Sequence, residues 1–206
     1  MLEFVPGEVA LPPLPAWYLE PAILTSIGRL LRRYHEAVAG FGPLKDREWC
    51  TELADPDGGP IICHNDVCPE NVVFRDGDAV ALLDFDFAAP GRALWDAAMT
   101  ARMCVPVGEP RAFLSVQVLS DPLARIASFT SGYGLSPSDA EQFVDMISLT
   151  SDVGDRFVRA HVAAGDPGFV EMWNRGYEER TRRHRKWITE HRQGLVRAVA
   201  GRHIAN

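Results

Sequence analysis

The chain has 206 residues, 47% of them hydrophobic, and a formal net charge of −7. It is long enough to bury a sizeable core as one domain, and no run approaches the roughly 18 apolar residues needed to cross a bilayer. No basic-then-apolar leader opens it, and Cys50, Cys63, Cys68 and Cys104 fit no CxxC pair, so the expectation is a cytoplasmic protein with reduced thiols and no membrane contact.

The first sixteen residues carry Pro6, Gly7, Pro12, Pro13 and Pro15. These bar regular structure beyond Leu2–Val5, so residues 1–16 read as a linker ahead of a domain at 17–206. Pro21 opens a helix in which Ile23, Ile27, Leu30, Leu31, Tyr34 and Val38 recur at helical spacing, and Gly40 closes it. Asp55–Pro60 is turn-rich, and Pro60–Cys63 is a short apolar strand candidate. Asn71–Arg75 and Asp78–Phe85 are β-type runs joined by Asp76-Gly77, a strong hairpin signal. After Asp86 the pattern turns helical and stays so. One helix covers Leu94–Met103, Asp121-Pro122 starts another, and Ser136-Pro137-Ser138-Asp139 starts a third. A long last helix carries Trp173, Tyr177, His184, Trp187, Ile188, Leu195 and Val199 on one face, a core-packing stripe. The fold class is α+β, mostly helical with a small hairpin near its start.

Charge is unevenly spread. Between Asn174 and Arg202, nine Lys/Arg stand against three Asp/Glu, so this tail carries +6 and the remainder −13. A basic helix can serve nucleic acid, but a solvated helix face explains it as well. An acidic body disfavours nucleic acid and suits cationic or neutral small substrates. No nucleic-acid partner is expected.

The informative stretch is Ile62 to Asp96. With Asp76-Gly77 as the turn, Asn71 lies opposite Leu82, and Asp84 sits just beyond that pair. The loop His64–Glu70 enters at the same end, so Asp66, Asn71 and Asp84 converge at one hairpin mouth. Hard cations such as Mg²⁺ take oxygen ligands, usually one or two carboxylates plus substrate phosphates. Asn71 and Asp84 supply such a site, and Asp66 stays free to accept a proton from a hydroxyl nucleophile. That is the division of labour in kinase phosphoryl transfer, an H-x-D-x(4)-N loop followed by an Asp on the metal. Here the text is His64-Asn65-Asp66-Val67-Cys68-Pro69-Glu70-Asn71, then Leu83-Asp84-Phe85-Asp86.

CHNDVCPENVVF, followed by ALLDFDFAAPGRALWDAA, resembles the C-terminal lobe of aminoglycoside phosphotransferases and their choline-kinase-like relatives, which have a protein-kinase-like fold. The resemblance implies Asp66 as catalytic base, Asn71 and Asp84 as Mg²⁺ ligands, and His64 and Asp96 as braces of the catalytic loop. It implies Val73 in the adenine floor and Leu2–Val5 as an inter-lobe hinge, with Glu3 and Val5 bonding the adenine of ATP. Asp86 either touches the metal or hydrogen-bonds the loop. The helix holding Leu30-Leu31-Arg32-Arg33-Tyr34-His35 matches the family's first C-lobe helix.

The chain departs from the family in lacking the N-terminal β-lobe with its phosphate-covering loop and strand Lys; Lys45 and Lys186 are the only lysines. The expectation is an ATP-dependent phosphotransferase acting on a hydroxyl of a small molecule, with ATP binding impaired by truncation. The alternative is a non-catalytic C-lobe serving as a binding or scaffold module. Val73, Leu82 and Leu83, left bare by the missing lobe, would promote self-association. A zinc site from Cys63, His64, Asp66 and Cys68 is a further alternative, without the spacing of a zinc module. His35 and His161 read as packing or surface residues. Glu171, Glu178 and Glu179 either line a cleft for a cationic substrate or form a solvated helix face.

Overall fold

The structure is a computed structural model and describes residues 4–41, 47–105, 107 and 121–201; Leu2, Glu3, Lys45 and His203 lie outside the described residues. In chain order the elements are α1 (Pro21–Val38), β1 (Ile61–Cys63), β2 (Val72–Arg75), β3 (Asp78–Leu82), β4 (Ala89–Gly91), α2 (Ala93–Cys104), α3 (Pro122–Tyr133), α4 (Ala140–Ala164), α5 (Pro167–Asn174) and α6 (Tyr177–Val199). Helices dominate, beside two small antiparallel sheets, which is an α+β fold. No helix among the described residues is long and apolar enough to cross a membrane.

Local signals set most helix starts. Proline, which lacks the N–H that a first turn leaves unbonded anyway, opens α1, α3 and α5. The Asp121 carboxylate accepts from the Leu123 N–H at the head of α3, and the Ser136 hydroxyl caps the short 3₁₀ turn leading into α4. Helix α1 buries Ile23, Leu24, Ile27, Leu30 and Leu31 on one face, at the period a helix imposes. Against it lies α3, at near-contact of the two backbones. A methyl group on Gly28 would come within 2.3 Å of the Phe129 carbonyl oxygen, and one on Gly132 within 2.0 Å of that of Thr25. Trp95, Phe129, Phe143 and Ile147 fill the core between α2, α3 and α4.

Three sequence expectations need correction. The last helix is broken, because Gly176 adopts φ +85° and separates α5 from α6; glycine takes this left-handed conformation without steric penalty. Trp173 therefore belongs to α5, beneath the Arg159 guanidinium. Residues after Asp86 do not turn helical at once. Ala89–Gly91 pairs with β1, Cys63 opposite Ala89, a long-range pairing with no local signature. Lastly, the hairpin forms at Asp76-Gly77 but carries a bulge at Val73/Phe74. Leu82 consequently faces Val72, not Asn71, because one extra residue on a strand shifts every later partner.

The opening segment lies along the free edge of β2. Glu8 and Phe74 exchange main-chain hydrogen bonds of 2.9 and 2.7 Å, and Gly7 sits against Val73, where a methyl group would come within 2.5 Å of Cγ1. Val73 is accordingly only 4% exposed, so the bare surface expected there is covered. The apolar side chains that do face solvent nearby are Leu83 and Phe85. The basic stretch on α6 is a solvated, ion-paired face: Arg182 meets Glu179, Arg185 meets Asp152, and Arg192 meets Asp145.

Candidate active site

Strand β1 ends at Cys63, and the chain then turns sharply. Asn65 has φ +64°, a left-handed conformation that a non-glycine residue keeps only when its surroundings over-determine it. Asp96, in the first turn of α2 and fully buried, provides that constraint. Its two carboxylate oxygens accept from the His64 N–H at 2.8 Å and the Asn65 N–H at 2.9 Å. The Asn65 side chain completes the lock, donating to the Phe87 carbonyl and accepting from the Trp95 indole N–H. Burial opposes charge on Asp96, but bonds from His35, His64 and Asn65 hold its carboxyl below the usual carboxylate range.

His35, on α1, places Nε2 2.9 Å from Oδ2 of Asp96 and Nδ1 2.8 Å from the Tyr133 hydroxyl. It thus ties two helices to the loop, a role the sequence reading missed. The His64 tautomer follows from its neighbours. Nε2 lies 2.8 Å from the Leu83 carbonyl oxygen, which can only accept. Nε2 therefore carries the hydrogen, and Nδ1 accepts from the Asp66 N–H. His64 and Asp96 thus bond the loop to the end of β3 and to α2.

Asp66, Asn71 and Asp84 are joined by a short chain of bonds. The Asn71 side-chain nitrogen donates to the Asp66 carbonyl and to its carboxylate. The Asn71 carbonyl accepts from the Leu83 N–H at 2.9 Å, so the Leu83 peptide is clamped between Asn71 and His64. Asp84 follows directly, exposed and at φ +59°. Asp66 is half-buried. Burial first, and the Asp84 charge second, push its carboxyl up to about 6, while Arg102 pulls the other way. Asp86 is exposed on the turn after Asp84, Val5 is half-buried in the opening segment, and Glu3 lies outside the described residues.

Arg102, of α2, is a second residue not singled out from sequence. Only geometry could find it, since one arginine among many helix residues carries no motif. The thiols do not form a zinc site. Cys63 donates to the Arg92 carbonyl, burial pushes the Cys68 thiol up to about 12, and no group of three or more His, Cys, Asp and Glu among the described residues could hold a metal. Asn71 and Asp84, an amide and a carboxylate linked through the Leu83 peptide, are instead of the oxygen-donor type that hard cations take. Glu171, Glu178 and Glu179 pair on the surface with Arg175, Arg159 and Arg182, which is the solvated-face alternative.

Comparison with known proteins bears on the same stretch. Residues 43–119 match the model of the phosphotransferase enzyme family, a span that contains His64, Asp66, Asn71, Asp84 and Asp96. The chain is also 29% identical over 217 residues of alignment to the trifolitoxin immunity protein of Rhizobium leguminosarum bv. trifolii, covering 97% of this chain and 76% of that protein.

Proposed function

We propose that this chain is a member of the aminoglycoside phosphotransferase family, a reading supported by the match over residues 43–119 and by the 29% identical relative, and that it transfers phosphate from ATP to a hydroxyl of a small molecule with Mg²⁺. The observation that carries this reading is the Asp66 carboxylate, held by Asn71 with its proton affinity raised to about 6. A base near that value is ionised at neutral pH yet still accepts a proton from a hydroxyl at modest cost.

In this reading Asp66 orients the acceptor hydroxyl and takes its proton as the oxygen attacks the terminal phosphorus, whose bond to the bridging oxygen breaks to release ADP. Asn71 fixes the base, and its side-chain oxygen together with Asp84 would hold Mg²⁺. When bound, that ion supplies neutralisation of charge on the phosphate oxygens. His64 and Asp96 keep the loop in its left-handed turn, so the base needs no reorganisation during reaction. Residues 17–206 would form the kinase-like C-terminal lobe, with residues 1–16 as the hinge-like segment. The free cysteines suit a reducing compartment, and we place the reaction in the cytoplasm.

Calorimetric titration with Mg-ATP and an assay of ADP release, on the chain and on Asp66→Ala, test this. The expectation is Mg²⁺-dependent nucleotide binding weaker than micromolar in both proteins, and transfer reduced at least ~100-fold by the substitution. Absence of Mg²⁺-dependent nucleotide binding would sink the reading. A second reading is favoured by the match, across nearly the whole chain, to a protein named for immunity to trifolitoxin: here the fold would bind a partner without transferring phosphate. Protection of cells that persists in Asp66→Ala would favour this alternative.

A further inference from the structure

A cavity of about 280 Å³ opens where α2, α4, α5 and α6 meet. Arg102 lines it from α2, Ser151 from α4, Met172 from α5, and Tyr177, Arg180 and His184 from α6. The Arg102 charge also opposes the rise in the proton affinity of Asp66, an electrostatic link between this wall and the proposed base. Among the described residues no Asp or Glu lines the cavity.

The charges in this wall are unusual for their partners. Arginines around the cavity are matched: Arg159 meets Asp155 and Glu178, and Arg185 meets Asp152 and Asp155. Among the described residues no carboxylate pairs with Arg102 or Arg180. Arg102 donates to the Met99 sulfur, a weak acceptor, and its Nε is buried without a hydrogen-bond partner. Its guanidinium presses on α4 at Gly154, where a methyl group would come within 2.8 Å of it. Arg180 donates to the main-chain carbonyl of Arg175. Arg102 is half-buried, and among the described residues the acceptor its guanidinium meets is a thioether sulfur, so an anion delivered by a ligand would satisfy donors that this wall leaves weakly matched. His184 adds no compensating charge: burial first, then Arg102 and Arg185, lower its proton affinity to about 4, so it is neutral.

We infer that this cavity seats an anionic group of the acceptor, a phosphate or carboxylate on a small hydroxylated molecule, between Arg102 and Arg180. The name acceptor rests on the phosphotransferase reading; the charge preference does not. Met172 and Met103 supply an apolar wall for the carbon skeleton, and guanidinium forks match carboxylate and phosphate oxygens bidentately. A polycationic acceptor would meet like charge at this wall.

Four probes on one three-carbon skeleton separate the possibilities: glycerol 3-phosphate, glycerate, glycerol and 3-amino-1,2-propanediol. Each is titrated into the intact chain, without ATP or Mg²⁺, while arginine Nε–H resonances are followed by NMR. At least one of the two anions should bind with shifts centred on Arg102 and Arg180, and its affinity should fall at least tenfold in Arg102→Met and in Arg180→Met. The phosphate and carboxylate arms report which anion is preferred. The inference is overturned if the amine binds this cavity more tightly than the anions, or if neither anion binds at millimolar concentration. Unchanged anion affinity in Arg180→Met, a partly exposed position where folding is not at stake, overturns it too. Mg-ATP titration of the same samples tests the phosphotransferase reading separately; anion binding without Mg-ATP binding would end that reading and leave the anion seat standing.

Discussion

The side-chain nitrogen of Asn71 stands 2.9 Å from the main-chain carbonyl of Asp66 and 3.2 Å from its carboxylate. Both partners only accept, so the amide orientation is fixed and its oxygen points away from Asp66. In the proposed mechanism this one residue would steady the base on one side and offer a cation ligand on the other. Asn71→Asp should break both arrangements by setting a carboxylate against a carboxylate. We expect transfer to fall ~100-fold or more and stability to drop more at pH 8 than at pH 5, since like charges in contact cannot both ionise cheaply. Urea denaturation at the two pH values checks this; equal losses would count against it.

Asp66 itself gives a pH signature. Its carboxyl is raised from 3.8 to about 6, so between these values the folded state binds more protons than the unfolded one. Stability therefore falls as pH rises through that window. In EDTA, Asp66→Asn should be more stable than the parent by about 1–2 kcal/mol at pH 7.5, a figure discounted for partial solvent exposure, and level with it near pH 4. Transfer should run the opposite way, rising through pH 6 as the base ionises. Thermal melts across pH that superimpose for the two proteins would refute this.

Asp96→Ala strands the N–H groups of His64 and Asn65 and leaves Nε2 of His35 without its acceptor. Removing the buried acceptor should cost about 3–5 kcal/mol, measured by urea unfolding. In the parent the sign is that of a depressed carboxylate. Its stabilising contribution is complete above the unfolded value of 3.8 and is lost as pH falls below it.

Helices α1 and α3 meet at Gly28 and Gly132, each facing a main-chain carbonyl of the other helix at a distance no side chain could share. Gly132→Ala should separate the helices and cost about 2–3 kcal/mol, whereas alanine normally stabilises a helix interior. A melting temperature unchanged or raised would show that the crossing can relax.

Leu83 is 39% and Phe85 44% exposed at the hairpin mouth. Apolar surface beside the site should favour self-association, reduced by Leu83→Ser because the Leu83 backbone bonds remain. Light scattering that reports a monomer at high concentration for the parent would argue against it.

Much of the fold was legible because its signals are local. Asp76-Gly77 sets a turn through the dihedrals of two residues, and Asp121-Pro122 starts a helix through one carboxylate and one ring. The spacing of Asp66, Asn71 and Asp84 could be carried to one end of a hairpin on that turn alone. Contacts closed over long chain separations were not legible. His35 meets Asp96 across 61 residues, and β4 finds β1 with Pro90 in its middle; neither leaves a periodic trace. The single-residue bulge at Val73/Phe74 depends on how the hairpin sits against its neighbours.

By itself the sequence determined which side chains the His64–Asn71 loop carries and most of the helices that follow it, because residue type and near-neighbour dihedral preference are properties of short segments. Only the tertiary structure decided which charges face the cavity between α2, α4, α5 and α6. The net charge of −7 pointed to cationic or neutral ligands, yet the wall carries Arg102 and Arg180. Electrostatic interaction falls with distance and with screening by water, so a ligand responds to the few groups at contact, and folding alone selects those.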